Sequence, residues 1–356
     1  MNCCSNCFVD KEIVSIICGQ NTLGDCYFCG SKNIFVYDTN DSEKLLSELL
    51  YGLLSIYTTS KSLPDDFPDE KKDFLKNILH RDWHIFKLEP EKISDLLKAV
   101  CSDKYLDDPE LFDLPVGLPQ LCDITYLNEN SLLKAYQWDS FVKALKTENR
   151  FHSNHVNTEI LRLFVDYAKV SYSAGNVFYR ARICTDGTGF SPNDMSAPPP
   201  ELAKAGRVNA EGISVLYLGD SIETVVYEVR AGRYDYVSIG TFELLQDIKI
   251  ISLDLLNNIS PFMREEGNIT KHAVNLPHLA QLSHEVARPL RRSDSALDYL
   301  PTQYISDFIK NQPEISGISY KSTMAKKGTN LAVFTPSYFK CIDTNVLEIK
   351  EIQYVW

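Results

Sequence analysis

The spacing of apolar residues changes along the chain. Residues 41–165 place leucines and their apolar neighbours three and four apart in SEKLLSELLYGLL, KKDFLKNILHRDW, EKISDLLKAV and SFVKALK. That is the period of helices burying one face. Beyond about residue 175, Val, Ile, Tyr and Phe come in short runs broken by Gly, Pro, Asn and Asp, which predicts a mostly β or mixed domain. Residues 1–40 differ again: they are dense in cysteine and hold two short β-like runs, Ile13–Cys18 and Ile34–Tyr37. The expected division is therefore 1–40, a cysteine-rich segment; 41–165, an acidic helical domain; and 166–356, a mixed α/β domain. The fold class is α+β. At roughly 100–200 residues per domain, the length allows two or three cores.

The pattern is most informative in GRVNAEGISVLYLGDSIETVVYEVR, residues 206–230. Asn209 to Gly212 reads as a turn, and Ile213–Leu218 as a strand buried on both faces. Asp220 then caps a helix, with Glu223 three residues on completing a capping box. Ile222, Val225, Val226 and Val229 form its apolar stripe, and Gly232 stops it. At roughly 100° per residue, Glu228 falls about 110° from the centre of that stripe, on its shoulder. A shoulder carboxylate beside the strand tyrosine Tyr217 is placed to line a cleft. Upstream, VFYRARI alternates as a strand with Phe178, Arg180 and Arg182 on one face. Two guanidiniums beside an aromatic ring suit a phosphate group. Downstream, EISGISYKSTMAKKGTNLAVF predicts strand, polar turn and strand, with Ser322 at the mouth of the turn. Any one of these residues is more often a surface ion pair or a capped core group. Their combination is what points to chemistry.

Composition narrows the function. The chain is 44% hydrophobic and 24% charged, as a globular protein is, with a net charge of −12. A nucleic-acid binder needs a basic face, and basic clusters such as Lys326-Lys327 are short, so nucleic acid is not an expected partner. No apolar run approaches the roughly 18 residues that span a bilayer. The N-terminus MNCCSNCFVD lacks the order of a signal peptide. A cytoplasmic protein with no membrane contact is expected.

Six of ten cysteines fall in the first 29 residues. Cys4-x2-Cys7 and Cys26-x2-Cys29 have the spacing of two zinc knuckles, whose four thiolates close a tetrahedral structural site. Cys3 and Cys18 are substitutes within the same cluster. So short a segment has little core of its own, and the metal would supply its folding energy. The alternative is a loose set of reduced thiols. Separately, Arg150 and His155 have the R-x4-H spacing used by HEPN ribonucleases, or they are solvated groups at a helix end. The remaining histidines form no HExxH pattern.

The succession FYRAR, GRVNAEGISVLYL, IETVVYEVR, YLPTQYISDFI and GISYKSTMAKKGTNLAVF resembles the RES domain over about 175–340. The resemblance implies an ADP-ribosyltransferase-like fold. It also implies NAD+ as substrate, cleaved at the nicotinamide–ribose bond by phosphorolysis or hydrolysis. By motif it assigns catalysis to Glu228, Arg207, Tyr217 and Ser322. NAD+ binding goes to Arg180, Arg207, Tyr179, Tyr217 and Ser322. The first 165 residues are similar to the HEPN-like extension of longer RES proteins. Two features depart from compact members: a longer gap between Arg180 and Arg207, through SPNDMSAPPP, and a lysine-rich turn after Ser322. The expected partners are NAD+, inorganic phosphate, an antitoxin or regulatory protein, and a second copy of the chain. The function so implied is NAD+ degradation by a toxin or phage-defence effector. The alternatives are ADP-ribosylation of a macromolecule, or a HEPN-like ribonuclease or interaction protein with an inactive RES domain.

Overall fold

The structure is a computed structural model that describes residues 1–263, 268–288 and 295–352. The chain forms two compact units. One comprises Met1–Ala135 and Asn258–His278, the other Tyr136–Asn257 and Leu279–Trp356.

In the first unit, strands β1 (Asn2–Cys4), β2 (Leu23–Gly24) and β3 (Ile34–Asp38) make an antiparallel sheet in the order β1-β3-β2. The expected strand at 34–37 is β3. The expected run Ile13–Cys18 is instead helical, within Lys11–Gly19. The Asp10 carboxylate accepts the N–H groups of Glu12 and Ile13, and Ile13 and Ile17, one turn apart, are fully buried. A cap and a packed face outweigh the modest helix cost of β-branched residues. Helices Leu45–Leu54, Leu75–Arg81 and Pro90–Val100 fall where the leucine spacing predicts them. Their buried faces, including Leu50, Leu79 and Leu96, share one core with Cys4, Cys7 and Phe8. Each such leucine contributes roughly 1.5–3 kcal/mol by leaving water. A two-stranded ribbon, β4 (Thr58–Thr59) with β5 (Val116–Gly117), completes the sheets of this unit.

The second unit is built on an eight-stranded mixed sheet. Its strands are β6 (Lys169–Tyr172), β7 (Val177–Cys184), β8 (Leu216–Gly219), β9 (Tyr236–Leu244), β10 (Ile248–Ser252), β11 (Ile315–Lys321), β12 (Thr329–Val333) and β13 (Phe339–Glu348). They run in the order β13-β9-β7-β8-β12-β11-β10-β6, and only β10–β11 is parallel. β7 pairs with β9 along its whole length, but with β8 only at Tyr179–Gly219. Phe178, Leu216, Leu218 and Phe242 form the core on one side of the sheet. Ala181, Val225, Val237 and Ile239 form a smaller core under the helix Ile222–Val229. Among the described residues, no helix is long and apolar enough to cross a membrane.

The central loop–strand–helix unit exists, with three differences from expectation. The strand is only Leu216–Gly219, because the Asn209 amide binds the Lys204, Ala210 and Ile213 carbonyls and holds the preceding residues off the ladder. The helix cap is Ser221, whose Oγ accepts the Thr224 N–H, while Asp220 accepts the Thr329 N–H from β12. Arg230, at φ +52°, ends the helix before Gly232. The buried stripe is shifted as well. Thr224 is buried with its hydroxyl donated to Asp220, and Ile222 is exposed.

Candidate active site

Gly219 sets the geometry. A Cβ there would lie 2.6 Å from Cγ1 of Val225, so the missing side chain is what lets the helix settle onto β8. One turn further along that helix is Glu228. Where β7 and β8 diverge, a cavity of about 260 Å³ opens beside it. Its polar lining is Arg180 from β7, Tyr217 from β8, Glu228, Tyr320 from β11 and Asn330 from β12.

Glu228 is exposed, but its carboxylate is held. Ser322 Oγ donates to Oε1 at 2.6 Å and Asn330 Nδ2 donates to the same oxygen at 2.8 Å. Ser322 Oγ in turn accepts the N–H groups of Met324 and Ala325, both at 3.1 Å. The serine's proton and lone pairs are thus all committed, which suits it to orient Glu228 and not to attack a substrate.

Tyr217 donates its hydroxyl to Asn209 Oδ1 at 2.6 Å, and burial pushes its phenol well above the usual value. Burial does the same to Tyr320, with Tyr217 and Glu228 adding to it. Both phenols stay neutral and offer ring faces and hydroxyls, not bases. Gln303, almost fully buried, donates its amide to the Gly206 and Asn209 carbonyls at 2.8 Å each. Helix Leu300–Lys310 thereby fixes the loop that carries Arg207 and, through Asn209, the Tyr217 hydroxyl.

Arg180 reaches the cavity and also donates to the Met195 carbonyl at 2.9 Å and to that of Ser196. Burial, with Arg182 nearby, pushes its guanidinium down to about 10. Arg182 is not in the lining. It donates to the Asp194 carbonyl and stacks 4.0 Å above Phe190. The two arginines of VFYRARI therefore clasp the 191–200 loop, and of the two only Arg180 also lines the cavity. Arg207 also lies outside the lining: it donates to the Glu285 carbonyl at 3.0 Å and sits over the Tyr299 ring. Tyr179 packs into the small core with Ala181 and Val225. The structure thus groups Arg180, Tyr217 and Glu228 around one space and joins Ser322 to them by a hydrogen bond. It leaves Arg207 and Tyr179 at one remove.

Sequence reasoning missed Asn330, Tyr320 and Gln303. For Asn330 a signal existed: one amide in the otherwise apolar strand NLAVF, where a buried polar group needs a partner.

In the first unit, the Sγ atoms of Cys4, Cys7, Cys26 and Cys29 all lie within 4.8 Å of one another. Adjacent pairs are 3.8, 3.4 and 3.5 Å apart. Four thiolates at about 2.3 Å from a tetrahedral ion are separated by about 3.8 Å, so the set fits a metal closely. Gly30, at φ +74°, turns the second knuckle and donates its N–H to the Cys26 carbonyl. Cys3 and Cys18 are outside the cluster. Arg150 and His155 fall in the irregular segment between helices Trp138–Thr147 and Thr158–Tyr167. The His155 ring lies 4.2 Å from that of Tyr136, and its Nδ1 is 3.1 Å from Ser153 Oγ.

A family model described as the RES domain matches residues 177–356. Among solved structures, the crystal structure of the M. tuberculosis MbcT-MbcA toxin-antitoxin complex is similar, with a TM-score of 0.31 and 11% identity. That match covers 52% of this chain and 91% of the other. No curated protein matches the chain.

Proposed function

We propose, because the chain belongs to the RES domain family, that its second unit degrades NAD+ by breaking the nicotinamide–ribose bond in the cavity between β7 and β8. The observation that carries this reading is the Glu228 carboxylate, fixed by Ser322 and Asn330 at a cavity shared with Arg180 and Tyr217. As the bond breaks, nicotinamide leaves with the bonding electron pair and the ribose carbon becomes cationic. A preorganised carboxylate stabilises that developing charge, as in glycoside cleavage. Arg180 neutralises the pyrophosphate, helped by Arg207 from the Gly206–Asn209 loop. The Tyr217 and Tyr320 faces stack against a ring. Phosphate then attacks to give a sugar phosphate, or water attacks and releases a proton.

The same family membership supports an ADP-ribosyltransferase-like fold for this unit and a role as a toxin or defence effector held in check by an antitoxin or regulatory protein. For the first unit, the four-cysteine cluster supports a structural zinc site, since four thiolates leave no open position for chemistry.

The test is to incubate the purified protein with NAD+, with and without phosphate, and to resolve the products. Release of nicotinamide is expected, with an ADP-ribose phosphate formed only when phosphate is present if the acceptor is phosphate. Intact NAD+ would overturn the reading. Label from NAD+ appearing in protein or nucleic acid would transfer it to ADP-ribosylation.

A further inference from the structure

We infer that Asn330 is a positioning residue for Glu228, fixing which of its two carboxylate oxygens meets the substrate. The inference rests on the NAD+ reading of the cavity. Asn330 is 6% exposed and is followed in β12 by Leu331, Ala332 and Val333, all buried. A polar side chain in such a strand costs stability unless it finds a partner. Its partner is on another element: Nδ2 donates to Glu228 Oε1 at 2.8 Å, across 102 residues of sequence. An ionised carboxylate only accepts, so chemistry fixes the amide with its nitrogen toward Glu228.

The surroundings make this reach feasible. The residue paired with Asn330 on β8 is Gly219, which has no side chain to block the path to the helix. On the other side, Asn330 pairs with Tyr320 in β11 and so sits in the ladder between two strands. Ser322, by contrast, holds Oε1 from the loop after β11, outside the ladder. Asn330 is thus the rigid half of a two-donor clamp on one oxygen. With Oε1 engaged twice, Oε2 is the oxygen turned to the ribose. An exposed glutamate on a short helix otherwise samples several rotamers. The clamp removes that freedom before substrate arrives, which is what preorganisation requires.

Two variants test it, with folding checked by thermal unfolding. A hydrogen bond to a charged group corresponds to a loss of about 10- to 100-fold, so Asn330→Ala should lower kcat by that factor, with KM changing no more than about threefold. Asn330→Asp keeps the shape but sets a second carboxylate within hydrogen-bond distance of the first. Such a pair shares one proton, and only the protonated pair reproduces the lost donor. Turnover by Asn330→Asp should therefore recover toward acid pH and fall as pH rises to neutral, a dependence steeper than that of the wild type. A purely structural loss would depress the rate alike at every pH. Wild-type kcat in Asn330→Ala, or a pH profile in Asn330→Asp parallel to the wild type, overturns the clamp. If the wild type releases nicotinamide and Glu228→Gln does not while both Asn330 variants behave normally, the inference alone falls. If the wild type leaves NAD+ intact, the NAD+ reading falls, and the inference with it.

Discussion

Ser322 Oγ lies 2.6 Å from Glu228 Oε1, joining the loop after β11 to a helix 94 residues earlier in the chain. The serine's own lone pairs are taken by the Met324 and Ala325 N–H groups, so its hydroxyl has one fixed direction, toward the carboxylate. This separates the two residues by role. Glu228→Gln removes the charge itself, and NAD+ turnover should fall by about 10²–10³-fold, the effect of losing one charge-stabilising group. Ser322→Ala removes only an orienting donor, and kcat should fall by about 10–100-fold. Steady-state kinetics on the two folded variants checks the order. A larger loss in Ser322→Ala than in Glu228→Gln would mean that the serine touches the reacting atoms.

Local periodicity puts Glu228 beside the packed face of its helix, although that face is shifted from the predicted stripe, with Thr224 buried and Ile222 exposed. The 3.6-residue repeat places the helices at Leu45–Leu54 and Pro90–Val100, and the apolar runs flanking the polar turn after Ser322 place the two strands there. Local pattern fails where a residue's partner is distant in sequence. Nothing near Asn330 announces a bond to Glu228, and nothing near Gln303 announces that it ties down Gly206 and Asn209. Strand alternation puts Arg180 and Arg182 on one face. That alternation could not reveal that carbonyls of the 191–200 loop would engage both. In the Ile13–Cys18 run, residue type argued for strand, and the Asp10 cap with one buried face decided for helix.

The cysteine cluster yields a prediction independent of turnover. Metal analysis of protein never exposed to strong chelators should find one zinc per chain. Cys26→Ser combined with Cys29→Ser removes half of the ligands and should abolish it. Because these sulfurs share a core with Leu50 and Leu79, the double variant should also unfold at a lower temperature, as metal binding to a folded site stabilises that fold. Zinc retained by the double variant would reject the four-cysteine assignment.

Acid should weaken the second unit through Asp298. Its carboxyl is held down to about 2, first by the Lys146 ammonium at 2.6 Å and then by the Ser295 N–H. A depressed folded-state value stabilises the fold above the unfolded-state value of about 4 and loses that stabilisation as pH falls to about 2. The difference in unfolding midpoint between wild type and Asp298→Asn should therefore be constant above pH 5 and shrink across this window. A difference that stays the same down to pH 2 would show that the ion pair does not couple to folding.

Arg180 and Arg207 test the division between binding and chemistry. Both are assigned to a pyrophosphate whose charge hardly changes as the glycosidic bond breaks, so they should bind ground and transition states about equally. Replacing either by alanine should raise KM more than it lowers kcat, the sign of lost uniform binding. One charge-assisted hydrogen bond corresponds to a shift of about 10- to 100-fold. Arg180 lines the cavity and Arg207 does not, so the larger KM effect should fall on Arg180→Ala. That variant also releases the clasp on the Met195 and Ser196 carbonyls, and protease cleavage within 191–200 should become faster. Lysine keeps the charge without the planar fork and should restore only part of the binding. A collapse of kcat at constant KM in Arg180→Ala would place the guanidinium in the chemical step instead.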